Sequence, residues 1–348
     1  MKRVKQRGYA QEDIMSMTKK AVALMTAILM VLALAAAAIP AVQAFAEQGS
    51  ASVLFKGRKQ ISGSCVISDS QTIPEGSTLY VKKGGKLYIK SGAELILNGT
   101  LKVAAGGAVY IKGQLTAGDT AMTSVTGKVK IQKGGVFTQG GTLRVNKGGN
   151  VFGLGTLEVV NDFSDIICKG NVTAKIKAPA PVEKDGVTTI GGVIIVNRQF
   201  DLPKDYGDGL DEETYNAFLK MRESSGYDMS IVSGFRSYEK QKATFAYWAS
   251  IDGPEVADTY SAQPGHSEHQ TGLAMDISSL KQSYGETAEG KWLAEHCWEY
   301  GFLLRYPKGS EHITGYIYEP WHVRYLGTST AKLLHDSGLT LEEFLGVA

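Results

Sequence analysis

Across residues 77–160 the sequence returns to the same pattern about every 22 residues, and few folds accommodate that. The stretches Leu79-Tyr80-Val81, Leu87-Tyr88-Ile89, Leu95-Ile96-Leu97, Leu101-Lys102-Val103 and Val109-Tyr110-Ile111 each set apolar residues at i and i+2. Such alternation turns one face of a short strand inward. Gly84-Gly85, Gly92, Asn98-Gly99 and Gly106-Gly107 separate them, residues that turn a chain at little cost. Leu79 to Leu101, Leu87 to Val109, Val109 to Ile131 and Val129 to Val151 are each 22 apart. Three short strands per period predict a β-solenoid of about four coils, interrupted near 118–127. A meander of hairpins with Asn-Gly turns is the alternative. The long period is steadier than the short one and favours the solenoid. The chain holds 41 Gly and only 9 Pro, but Gly does not recur at every third position, so collagen is excluded. This region has no His and only isolated acids, and reads as a spacer or a binding surface. Ala178-Pro179-Ala180-Pro181 then reads as a short stiff linker.

The predicted organisation has four parts. Residues 1–46 form a signal peptide or membrane anchor, 47–177 the Gly-rich repeat domain, 178–189 the linker and 190–348 a second domain. Lys19 and Lys20 precede an uncharged apolar run at 21–39, followed by Pro40 and the small-x-small site Ala44-Phe45-Ala46. That order is a secretory signal, and the run is long enough to span a bilayer if left uncut. The rest of the chain is expected outside the cytoplasm: secreted, wall-associated, or held at the membrane only if this segment is uncleaved. Cys65, Cys168 and Cys297 are too few for a disulfide framework and contain no Cys-x-x-Cys pair. The formal charge of +2 hides an asymmetry. Residues 47–189 carry 18 Lys and Arg against 10 Asp and Glu, whereas residues 190–348 carry 13 against 23. A basic module makes an anionic wall polymer a candidate partner. An export signal argues against nucleic acid.

All six His fall after residue 260. His269 and Asp276 are seven apart in Ser267-Glu268-His269-Gln270-Thr271-Gly272-Leu273-Ala274-Met275-Asp276-Ile277. An Asp in so apolar a strand is costly unless paired or metal-bound. Glu319 and His322 are three apart in Glu319-Pro320-Trp321-His322, a pattern that reads as a strand end turning into a helix. His269, Asp276 and His322 can supply three zinc ligands with an open fourth position, and Glu319 a base. Spacing alone favours structural histidines over this constellation. His266, His296, His312 and His335 read as loop, surface or packing residues, and Cys297 as a buried helical residue. Two Ser-x-x-Lys matches, at Ser237 and Ser278, lack a Ser-Asp-Asn or Lys-Thr-Gly partner, so a serine mechanism is rejected.

Three stretches taken together are more specific: Ser233-Gly234-Phe235-Arg236-Ser237-Tyr238, the His269–Asp276 segment, and Glu319-Pro320-Trp321-His322. In kind and order they resemble the signatures of the VanY-type D-alanyl-D-alanine carboxypeptidases, a zinc peptidase family. The resemblance runs from about residue 194 to 345, nearly half the chain, and leaves out the repeats. It implies that His269, Asp276 and His322 bind zinc and that Glu319 is the general base and acid. It further implies that Arg236 stabilises the oxyanion and that Ser267 contacts the substrate's terminal carboxylate. The expected fold is an α+β zinc peptidase domain preceded by an all-β, solenoid-like repeat domain. Helices are predicted at 211–225 and 238–250, and strands at 229–233 and 273–277. The expected function is zinc-dependent removal of a terminal D-alanine from peptidoglycan stem peptides. An L,D-carboxypeptidase or peptidoglycan endopeptidase with the same zinc site is the alternative. So is a non-enzymatic wall-binding protein whose working part is the solenoid.

Overall fold

The structure, a computed structural model, describes residues 55–348. The expected signal or anchor at 1–46 lies outside the described residues. Among them no helix is long and apolar enough to cross a membrane.

The repeats wind into a β-solenoid. Its strands stack in parallel into three six-stranded sheets, one strand of each sheet per coil. Stacking aligns identical inward positions into ladders. Ile61, Val81, Val103, Val125, Val145 and Cys168 are consecutive register partners in the first sheet. Leu87, Val109, Val129 and Val151 do the same in the second, each fully buried. Burying each such side chain contributes about 1.5–3 kcal/mol. The coils are tight at their corners. Gly84 has φ +80°, and a Cβ on Gly85 would overlap the Ile61 carbonyl oxygen of the coil below.

The array is longer and less regular than the spacing suggested. Coils extend to both sides of 77–160, so the expected four are exceeded. No interruption occurs near 118–127: Met122–Val125 is a strand paired on both sides. Val109 pairs with Val129, not with a residue 22 positions on. A coil can lose two residues at a corner and keep its ladder in phase, because a shift of two preserves which side chains face inward.

Residues 182–194 form a small antiparallel sheet of three strands, and the α+β part follows. Its own sheet is antiparallel, in the order Ile231–Ser233, Ala274–Ile277, His322–Tyr325, Phe302–Leu304. Helix α1 (Glu212–Ser225) is capped by the Asp211 carboxylate, which accepts from the Thr214 amide at 2.8 Å. Helix α2 (Tyr238–Asp252) is capped by Ser237, and helix α3 (Ala288–His296) by Thr287. Met221, Met229, Met275, Ile277, Leu293 and Val323 pack the core between sheet and helices.

Two further helices, α4 (Thr328–Ser337) and α5 (Leu341–Leu345), belong to the other core. Leu333, Leu334, Leu341, Phe344 and Leu345 are buried in one continuous cluster with the solenoid's ladders. The Phe344 ring lies 4.9 Å from that of Phe163, and Ser329 Oγ accepts from the Cys168 amide at 3.3 Å. A solenoid ends on an exposed apolar coil unless something covers it. Here the C-terminal helices of the α+β part cover the last coil.

Candidate metal centre

Strand pairing assembles the site. Asp276 lies directly opposite His322 on one neighbouring strand and opposite Ser233 on the other. His269 arrives from a 3-10 turn, Glu268–Thr271, that leads into the Asp276 strand. Gly272 ends that turn at φ +72°, where a Cβ would overlap the Gly209 carbonyl oxygen, so Gly is required there. The Glu319-Pro320-Trp321 segment does not enter a helix, contrary to the reading of its spacing. It enters the strand His322–Tyr325, whose Val323 pairs with Met275 and Leu304.

His269, Asp276 and His322 are all buried, and one donor atom of each lies within 4.8 Å of the other two. Asp276 Oδ2 is 3.2 Å from His269 Nε2, and its Oδ1 is 3.1 Å from His322 Nδ1. His269 Nδ1–H donates to the Gly234 carbonyl at 2.7 Å, which leaves Nε2 as the free donor atom. Asp276 Oδ1 is buried and, although close to His322 Nδ1, is not aligned with it for a hydrogen bond. Two imidazole nitrogens and a carboxylate converging on one point, with an orphaned oxygen among them, fit a zinc ion. These three can hold one.

The groups around them are held as well. Glu319 Oε2 is 3.7 Å from His322 Nδ1. Burial lifts the Glu319 carboxyl to about 8; His322 opposes the shift and the Asp276 charge adds to it. Burial also resists ionisation of Asp276, yet the flanking His269 and His322 hold its carboxyl far below the usual range. Burial lowers the pKa of His269. Burial disfavours charge on His322 too, but Asp276 and Glu268 at its two nitrogens bring it up to about 9. The Arg236 guanidinium is fixed by Gln241 Oε1 at 2.8 Å and Ser233 Oγ at 3.0 Å, and lies 3.8 Å from Asp276 Oδ2. Ser267 is buried at the start of the 3-10 turn, and its hydroxyl does not cap it. Five of the six residues singled out from the sequence, His269, Asp276, His322, Glu319 and Arg236, thus meet in one place, and Ser267 lies two residues before His269. The remaining histidines do not join it. His266 Nδ1–H donates to the Asn197 carbonyl at 2.8 Å, His296 pairs with Glu299, His335 stacks on Trp298, and His312 is exposed.

Several neighbours had no assigned part in the sequence reading. The Tyr306 ring lies 4.9 Å from that of His322, and burial raises its phenol well above the usual value. Glu268 is fully buried with Oε2 3.5 Å from His322 Nε2. Its Oε1 accepts from Arg305 Nε at 2.8 Å and from Arg324 Nη1 at 2.9 Å. Arg305 in turn grips Glu342 of α5 with both Nη atoms, at 2.9 and 2.5 Å. A buried chain of charges therefore runs from the solenoid-capping helix to His322. The only signal for Glu268 was its place inside the Ser267-Glu268-His269 motif.

Comparison with known proteins places the chain in a family. The family model for VanY, described as D-alanyl-D-alanine carboxypeptidase, matches residues 208–328. The chain is 40% identical over 192 residues to the putative carboxypeptidase YodJ of Bacillus subtilis (strain 168), spanning 46% of this chain and 70% of that one. It is 38% identical to the solved LdcB LD-carboxypeptidase, covering 49% of this chain and 94% of that one, at a TM-score of 0.44. It is 34% identical to a solved mutant of the vancomycin-resistance D,D-pentapeptidase VanY from the VanB-type cassette, in complex with Zn(II). That match covers 44% of this chain and 97% of that one, at a TM-score of 0.38. With the family model inside this half and 40% identity over 70% of a curated relative's length, the chain belongs to the VanY family of D-alanyl-D-alanine carboxypeptidases, and its C-terminal half is a metallocarboxypeptidase.

Proposed function

We propose that the enzyme removes the terminal D-alanine from peptidoglycan stem peptides with a zinc ion held by His269, Asp276 and His322. The observation that carries this is the convergence of those three donor atoms beside Glu319 and Arg236. A zinc ion there supplies Lewis acidity toward the scissile carbonyl and lowers the pKa of a water nearby to about 7. Glu319 takes a proton from the attacking water and returns it to the leaving amine as the C–N bond breaks. Arg236, braced by Gln241 and Ser233, faces the oxygen on which negative charge develops. Ser267 lies two residues before the first ligand and contacts the substrate's terminal carboxylate. The substrate polymer lies outside the cytoplasm, in keeping with the export signal read at residues 1–46.

The test is incubation with pentapeptide and tetrapeptide stems, followed by mass measurement of the products. Loss of one D-alanine from the pentapeptide is expected. Turnover confined to the tetrapeptide would replace the D,D reading with the L,D reading, which the 38% identity to an LD-carboxypeptidase favours. Cleavage of cross-links would make it an endopeptidase, and no turnover of any stem would leave the non-enzymatic, wall-binding reading.

A further inference from the structure

The solenoid's charges are not scattered. The acids of residues 55–177 are Asp69, Glu75, Glu94, Asp119, Glu158 and the Asp162/Asp165 pair. Each lies on the third sheet or in the loops that flank it. From the second coil onward the second sheet and its bordering turns are different; only the turn after its first strand, Ser64–Ile67, holds an acid, Asp69. Residues 82–90, 104–112, 126–133, 146–152 and 169–172 hold ten Lys and no Arg, Asp or Glu. Among the described residues, Lys177 on the third sheet is the repeat region's one ion-paired lysine. The lysines of the second face therefore present their charge to solvent. A random lysine excess would not leave one face free of acids and collect them on another.

That face also carries an aromatic column. Register places Val66, Tyr88, Tyr110, Lys130 and Phe152 in one outward row along the solenoid axis. Tyr88 and Tyr110 stack at 4.9 Å with planes 9° apart, and Lys130 Nζ lies 5.9 Å from the Phe152 ring centroid. Lys86 and Lys128 stand in the adjacent outward row. Coils repeat at about 4.8 Å, so Lys86 and Lys128 are about 10 Å apart along the axis.

We infer that this second face is a docking surface for a linear polymer with a phosphodiester backbone of the polyol-phosphate type. The inference rests on the wall-directed function proposed above. The charges are strung along an axis rather than gathered on one point, which fits a chain rather than a single phosphate. They are all Lys, compact cations that follow a polyanion without the bidentate fork by which Arg reads a fixed shape. The aromatic row gives the carbon skeleton of the polyol something to lie on. Held this way, the polymer runs along the solenoid and keeps the enzyme beside its substrate.

The experiment uses the full chain with poly(glycerol phosphate), dextran, a single-stranded DNA and phosphatidylglycerol vesicles. Binding to poly(glycerol phosphate) and not to dextran is expected, weakening steeply with salt. The variant Lys86→Ala/Lys128→Ala/Lys130→Ala should weaken it at least tenfold. It should also flatten the log–log salt slope by about 2, at roughly 0.7 for each phosphate left unneutralised on a single-stranded polyanion. The variant Lys102→Ala/Arg144→Ala/Lys177→Ala removes the same charge from the other faces and should bind nearly as the parent does. Equal weakening by the two variants overturns the assignment of the face. So does an absence of polymer binding, or DNA or vesicles bound as tightly as the polymer. Stem-peptide turnover is measured on the same samples. Its absence beside intact, face-specific polymer binding would sink the enzymatic reading and leave this one standing.

Discussion

Asp276 sits between two histidines, and each of its oxygens faces one of them. Glu319 stands outside that set, so its substitution should separate proton transfer from metal binding. Glu319→Gln keeps the shape and is expected to retain zinc while turnover falls about 10²–10⁴-fold. His269→Ala and His322→Ala are expected to lose the metal itself. Metal content and turnover measured on the same samples check this, and loss of zinc from Glu319→Gln would refute the role given to Glu319. Glu268→Gln should act through His322. It takes the charged partner from Nε2 and leaves Arg305 and Arg324 short of an anion in a buried place. Zinc affinity, read by chelator competition, should drop about 10–100-fold. The protein should also be destabilised by about 3–5 kcal/mol. Unchanged affinity would show that Glu268 serves packing alone. These residues differ in how visible they were beforehand. The three proposed ligands and Glu319 sit in short motifs that, taken together with the Arg236 segment, carry the family resemblance. Glu268 could not be read, because the arginines that give it meaning lie 37 and 56 residues away.

At the level of elements, the solenoid was legible because its inward residues alternate locally and its corners demand glycine. Its register was less so. Val109 meets Val129 across a coil two residues shorter than its neighbours, and alternation cannot distinguish that from a coil of 22. The helices at 212–225 and 238–252 announced themselves through their Asp211 and Ser237 caps. What α4 and α5 cover was not legible, since an amphipathic helix does not name the surface its apolar side meets. Phe344 tests that packing. It is 3% exposed and lies against Phe163. Phe344→Ala should cost about 3–5 kcal/mol, measured by denaturant unfolding of the full chain. A cost under about 1 kcal/mol would mean that the helix pair covers the solenoid without being needed there.

For the whole molecule, the repeats and the enzyme are joined by more than a linker, because one hydrophobic cluster spans both. Residues 190–348 expressed alone would expose Leu333, Leu334, Leu341, Phe344 and Leu345 to water. They should show a lower Tm and more self-association than the full chain. An isolated half as stable and as monomeric as the parent would show that this cluster closes without the repeats. Excising one coil is expected to be mild by contrast. Thr100 pairs with Thr78 on one side and with Met122 on the other, so deleting residues 100–121 lets Met122 take the place of Thr100. The shortened chain should keep its Tm within a few degrees and its turnover of soluble peptides. A large loss of either would mean that the coils are not interchangeable.

The covered last coil therefore makes the array a ruler. The enzyme rides on one end of a stack graduated in steps of about 4.8 Å. Gaining or losing a graduation moves the catalytic cleft relative to the first coil, while every contact at the enzyme's end stays as it was. The distance from the first coil to the enzyme can thus be lengthened or trimmed by duplication or deletion of a coil, without altering the chemistry at its end.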